Sequence, residues 1–229
     1  MTELRSRGSE SIRKILLKHG VKEPLFGVKV EYLKLIQKKI KKDYQLAKEL
    51  YATGNADAMY LAGLIADDKK MTIADLQTWV RQAVSQNISE YTVPWVAAEG
   101  QYGYKLAILW IDNPEEHIAA AGWATLSALV SLKDDADLDI ANLKSLLTRV
   151  VMNISKAENR VRHTMNGFII AVGVYVTDLT GNAIATAKKI GIINVDMNGT
   201  ACKIPNATEY ILKIKEKGAL GKKKKTVKC

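Results

Sequence analysis

Apolar residues recur at spacings of three and four along almost the whole chain. Ile12, Ile15 and Leu16 form one stripe with His19. Val28, Tyr32, Leu35, Ile36 and Ile40 form a second, and Leu46, Leu50 and Tyr51 a third, with Gly20, Gly27 and Gly54 at or near the breaks. That period places the apolar side chains on one face of an α-helix, so these segments predict paired amphipathic helices. The pattern continues over residues 56–66, 72–84, 93–100, 102–111, 114–132, 138–155, 159–176 and 182–190, and Thr72 with Asp75 three positions on forms an acidic variant of the capping box. The one strand-like run, Ile192-Ile193-Asn194-Val195, is too short to build a sheet. Helices joined by short turns predict an all-α fold, either a bundle or a solenoid. Helix pairs of about 35 to 45 residues favour an α-solenoid of HEAT-like repeats.

The pattern changes near residue 195. Residues 195–205 are turn-rich, 206–217 make one further amphipathic helix, and Lys222, Lys223, Lys224 and Lys225 follow in an unbroken run. The expected organisation is a HEAT-like repeat domain over 1–194 and a C-terminal turn-rich segment, helix and flexible Lys-rich tail over 195–229.

Of the 229 residues, 48% are hydrophobic and 25% charged, as in a packed globular protein. The longest apolar run, residues 168–176, is far short of a bilayer span, and the N-terminal residues hold no apolar signal core. The expected location is therefore the cytoplasm, with no membrane partner. Two cysteines, Cys202 and Cys229, and three scattered histidines provide neither a disulfide framework nor a zinc site, so no metal and no cofactor is expected. The net charge of +10 is uneven: residues 1–50 carry +7, 51–157 carry −5 and 158–229 carry +8. Basic ends around an acidic middle suit a polyanion gripped from two sides, nucleic acid above all, and equally suit solvated helix faces. Nothing in the pattern specifies an oligomeric state.

The candidate chemistry is sparse. The sequence holds no Ser-His-Asp or Cys-His arrangement, P-loop or dinucleotide fingerprint. In Thr92-Val93-Pro94-Trp95-Val96-Ala97-Ala98-Glu99, Pro94 marks a first helical turn, and the spacing of Trp95 and Glu99 puts an indole and a carboxylate on one helix face. Such a pair suits a cationic base or a developing sugar cation, or is a core Trp beside a surface Glu. Trp79, Trp110 and Trp123 lie on apolar stripes and read as core, although with Tyr91, Tyr102 and Tyr104 they also form a cluster able to line a cleft. Arg160 and Arg162 stand at a helix start, against the macrodipole. They call for an anion there, either a phosphate or the neighbouring Glu158.

At Trp95–Glu99, at the Trp-bearing helix after Asn113-Pro114 and at 159–168, the chain resembles the alkylpurine DNA glycosylases of the AlkD-like DNA alkylation repair family, in helix order over most of residues 8–190. The resemblance implies a C-shaped HEAT-like solenoid whose concave basic face holds double-stranded DNA. It also implies removal of cationic alkylated purines such as 3-methyladenine and 7-methylguanine without drawing the base into a pocket. Carried over, the family's first Trp falls on Trp95 and its catalytic Asp on Glu99, with the second Trp on Phe168. Its Arg falls near Ala119 or Ala120, where this chain has no cation. Arg160, Arg162 and Lys222, Lys223, Lys224 and Lys225 are then the expected DNA contacts. Cleavage of an already cationic base needs no general acid, so an anion near the sugar and an aromatic contact make a sufficient minimal site. The alternative is a non-catalytic helical-repeat module that binds DNA or protein.

Overall fold

The structure is a computed structural model that describes every residue except Val84 and Cys229. Val84, the expected end of the helix over 72–84, and Cys229, the expected end of the tail, lie outside the described residues.

Among the described residues there are thirteen α-helices and no strand. Three short helices open the chain: α1 (Thr2–Ser6), α2 (Glu10–Lys18) and α3 (Val30–Ile40). The repeat pairs follow as α4 (Tyr44–Ala52) with α5 (Ala56–Ile65), α6 (Ile73–Gln82) with α7 (Val93–Glu99), and α8 (Gly103–Trp110) with α9 (Glu116–Leu132). Then come α10 (Ile140–Asn153), α11 (Asn159–Tyr175), α12 (Thr180–Ile190) and α13 (Ala207–Glu216). Successive odd-numbered helices from α5 stack on one another, and the even-numbered helices back them. This two-layer, C-shaped solenoid of HEAT-like pairs carries one extra C-terminal helix. Among the described residues no single helix is long and apolar enough to cross a membrane.

Local chemistry explains where helices start. Asp43, Asn55, Asp139 and Asn206 each accept the backbone N–H of the third residue of the following helix, and Thr72 with Asp75 completes the predicted capping box. Every residue of α5 is buried, because helices cover it on all sides. Trp79, Trp110 and Trp123 are core, as their stripes predict: Trp79 stacks on Tyr51 at 4.0 Å and Trp110 donates to Gln77.

One element escapes the periodicity. Residues Ile88–Thr92 form a π-helical turn leading directly into α7. Pro94 has no N–H to return to the carbonyl of Glu90, which loosens the α-helical ladder at this point. Gly63 on α5 admits the turn, since a Cβ there would stand 2.4 Å from Thr92 Cγ2.

The tail is not a flexible arm, and this corrects the expectation from its lysine run. It lies as a strap across the C-terminal ends of the odd-numbered helices. The Gly221 amide donates to Val174 O on α11, and the Lys224 amide and Lys223 Nζ donate to Ser131 O and Val130 O on α9. Lys228 Nζ reaches Ala66 O just beyond α5 and pairs with Asp68 at 2.6 Å. Helix C-termini carry carbonyls without helical donors and the negative end of the macrodipole, so a lysine-rich segment is satisfied there on both counts.

Candidate nucleic-acid interface

The π turn and the N-terminal half of α11 converge on one buried ion cluster. Glu90 holds Arg160 in a two-pronged pair, Oε1 to Nε at 2.6 Å and Oε2 to NH2 at 2.7 Å, with its side chain 2% exposed. His163 Nδ1 lies 3.0 Å from Glu90 Oε2, and Glu116 accepts the backbone amide of Arg160. Burial works to raise the pKa of Glu90, but the hydrogen bonds and positive charges of His163 and Arg160 outweigh it and hold the carboxyl below the usual glutamate range. Glu90 and His163 line a small cavity of about 170 Å³ with Tyr91, Ser127 and Asn166.

The expected site residues do not meet. Trp95 is 6% exposed and forms part of the core, covered by Tyr60 and Tyr91, so it is no open wall. Phe168 is wholly buried against Trp123, with ring centroids 5.2 Å apart, and presents no surface outside the core. Both are corrections with one cause: a stripe that supports a solenoid layer must bury its largest side chains. Glu99 is half-buried at the end of α7, where the Thr226 hydroxyl and the Val227 amide both donate to it. Ala119 and Ala120 are buried, so no cation could stand there without opening the core.

The expected DNA contacts divide. Arg160 is spent on Glu90, not on Glu158 or on a free anion position. Arg162 lines a cavity of about 550 Å³ with Asn159 and the loop 194–202, and among the described residues its Nε is buried without a hydrogen-bond partner. Lys223 is half-buried and pairs with Asp135, whereas Lys222, Lys224 and Lys225 are exposed, the Lys224 ammonium lying over the Tyr175 ring. The two terminal regions of the sequence adjoin at residues 19–20 and 198–202: Cys202 Sγ is 4.0 Å from His19 Nδ1, and a Cβ on Gly20 would stand 3.0 Å from Asn198 Nδ2.

Sequence reasoning missed Glu90 and His163, whose partners lie 70 and more residues away. Tyr91, counted only as one of the aromatic cluster, proves to be its most exposed member, at 47%, with Tyr104 next at 39%.

Comparison with known proteins agrees with this architecture. The family model described as DNA alkylation repair enzyme matches residues 1–211. Two uncharacterized proteins, Lin0241 of Listeria innocua and Lmo0209 of Listeria monocytogenes, are each 30% identical over 222 residues, covering 94% of this chain and 96% of theirs. A solved structure superimposes with a TM-score of 0.92 at 36% identity, covering 100% of this chain and 97% of that one. It is described as belonging to a family of proteins related to the HEAT-like repeat DNA glycosylases with affinity for branched DNA structures.

Proposed function

Because this chain belongs to the DNA alkylation repair enzyme family, we propose that it is a DNA-binding member that grips branched or otherwise distorted DNA and does not cut the glycosidic bond. The observation that carries the choice of binding over excision is the state of the two carboxylates. Glu99 Oε1 is occupied by Thr226 and Val227, and Glu90 is paired with Arg160 and contacted by His163. Glu99 is tied by neutral donors into the contact with the C-terminal segment and Glu90 is paired with a buried guanidinium, so neither carboxylate stands free to face a sugar cation, which is what stabilising that transition state requires. Grip on DNA is supported by the family, by the affinity named for the solved relative, and by the net charge of +10. Exposed Lys222 and Lys225 and the half-buried Arg162 are the expected phosphate contacts.

Excision of cationic N-alkylpurines is the second reading. It is favoured by the family and by the ionised state of Glu90, whose carboxylate lines a cavity. One experiment separates the two. Binding to a three-way junction and to a plain duplex is titrated at several salt concentrations, and release of 7-methylguanine from methylated duplex is measured alongside. The binding reading expects a steep salt dependence, a preference for the junction and no released base. Release above the uncatalysed rate, abolished by Glu99→Gln or Glu90→Gln, would establish excision instead.

A further inference from the structure

Tyr91 stands between two cavities. Beside the one that Glu90 lines, a second of about 260 Å³ opens between α5, the residues flanking α2 and α3, and the π turn. Its walls include the aliphatic Leu16, Val28 and Leu33, the rings of Tyr60 and Tyr91, and Asn87. Trp95 fixes both tyrosines from behind by edge-on contacts, Tyr60 at 5.4 Å and 84° and Tyr91 at 6.0 Å and 62°. The aromatic walls are thus set before anything binds. Asn87 lines the cavity, and its Oδ1, closed off from solvent in this structure, receives no hydrogen bond among the described residues. A buried amide oxygen without a donor is costly, and an N–H from a ligand would relieve it.

Resting on the DNA-binding reading above, we infer that this cavity receives a single unpaired nucleobase displaced at a branch or bulge, with Tyr91 against its face and Asn87 accepting from its N–H edge. Each property of the cavity selects this occupant. Apolar walls and the nearby Asp57 carboxylate exclude a phosphate. An aliphatic group would leave Asn87 unanswered. A flat heterocycle with an aromatic face and an amine edge answers both, and extruded bases are held in this way, stacked on rings and bonded along one edge. The resemblance drawn from the sequence implies action on DNA without a base pocket, so the cavity adds a binding step to that picture.

The test compares two three-way junctions that differ at one unpaired position, adenine in one and an abasic nucleotide in the other. The intact protein is expected to bind the adenine junction about tenfold more tightly, the scale of one stacked base. Tyr91→Ala is expected to erase that preference, Tyr91→Phe to keep it and Asn87→Ala to narrow it. With 2-aminopurine at the same position, the intact protein should change the probe's emission on binding, a readout that needs no variant. Equal affinity for both junctions, unchanged emission, or a preference that survives Tyr91→Ala would overturn the cavity's role while leaving junction binding in place. Failure to bind either junction would instead overturn the DNA reading itself.

Discussion

Glu99 accepts a hydrogen bond from the hydroxyl of Thr226, 127 residues further along the chain. The contact joins the end of α7 to the strap. Val227 beside it packs against Ala98, Ala128 and Leu129, so one short segment closes the edge of two repeat pairs. A carboxylate that reads from sequence as a reactive group is here a clip for the chain's own C-terminal segment.

Deleting residues 222–229 is expected to destabilise the fold. The loss comprises a half-buried Val side chain and several hydrogen bonds to helix ends, about 2 kcal/mol after the entropy of ordering the segment is returned. For a chain of this length the melting temperature should fall by roughly 4 to 8 °C. DNA affinity should respond less than five lost lysines suggest, because Lys223 and Lys228 already pair with Asp135 and Asp68 and Lys224 lies over the Tyr175 ring. The salt slope should drop by about two phosphate contacts, those of Lys222 and Lys225. A slope reduced by four or five, with no change in melting, would show the strap detached in solution.

Arg160 and Arg162 should behave as opposites despite their shared helix turn. Removing Arg160 strands the buried Glu90 carboxylate, so Arg160→Ala should cost about 3 to 5 kcal/mol of stability, seen as a lowered midpoint in urea. Replacing both partners, Glu90→Gln with Arg160→Met, should recover part of that loss. Arg162→Ala should leave the midpoint nearly unchanged and weaken DNA binding, since its guanidinium borders an open cavity and takes part in no ion pair among the described residues. A large stability loss from Arg162→Ala with unaltered affinity would place it among the structural cations.

These contrasts mark how far the sequence could be read. The helices and the solenoid were legible because burial imposes the 3.6-residue period at every repeat, and the cap at Thr72 states its own helix start. Trp79, Trp110 and Trp123 followed from the same rule. The site was not legible in the same way. Trp95 and Phe168 obey the core period too, so residue type could not separate a substrate contact from packing. Glu90 meets Arg160, and Glu99 meets Thr226, only after the chain has folded back over 70 and 127 residues, a distance at which periodicity carries no information.

Acid should expose the contribution of the α6 capping box. Burial works to raise the pKa of Asp75, but hydrogen bonds from Lys48, Thr72 and Tyr44 overcome it and bring the carboxyl down to about 2. A depressed folded pKa means stability fully present above the unfolded value, near 4, and lost as pH falls through about 2. Asp75→Asn should therefore cost about 1 kcal/mol at neutral pH, allowing for solvent screening, and little below pH 2. Parallel urea titrations of both proteins between pH 7 and pH 2 measure this. A difference independent of pH would assign the loss to packing rather than to the charge.

Phe168 supplies the cleanest separation of core from interface. Its ring has no exposed surface and packs on Trp123 between α9 and α11, the stack on which the C-terminal half of the core is built. Phe168→Ala should cost about 3 to 5 kcal/mol through lost burial and the cavity left behind, whereas Phe168→Leu, closer in volume, should cost much less. Neither change should alter the affinity of the folded fraction for DNA, measured at a temperature where both variants remain native. If Phe168→Leu kept full stability but lost DNA binding, the residue would be a ligand contact after all, and α11 would have to open to present it.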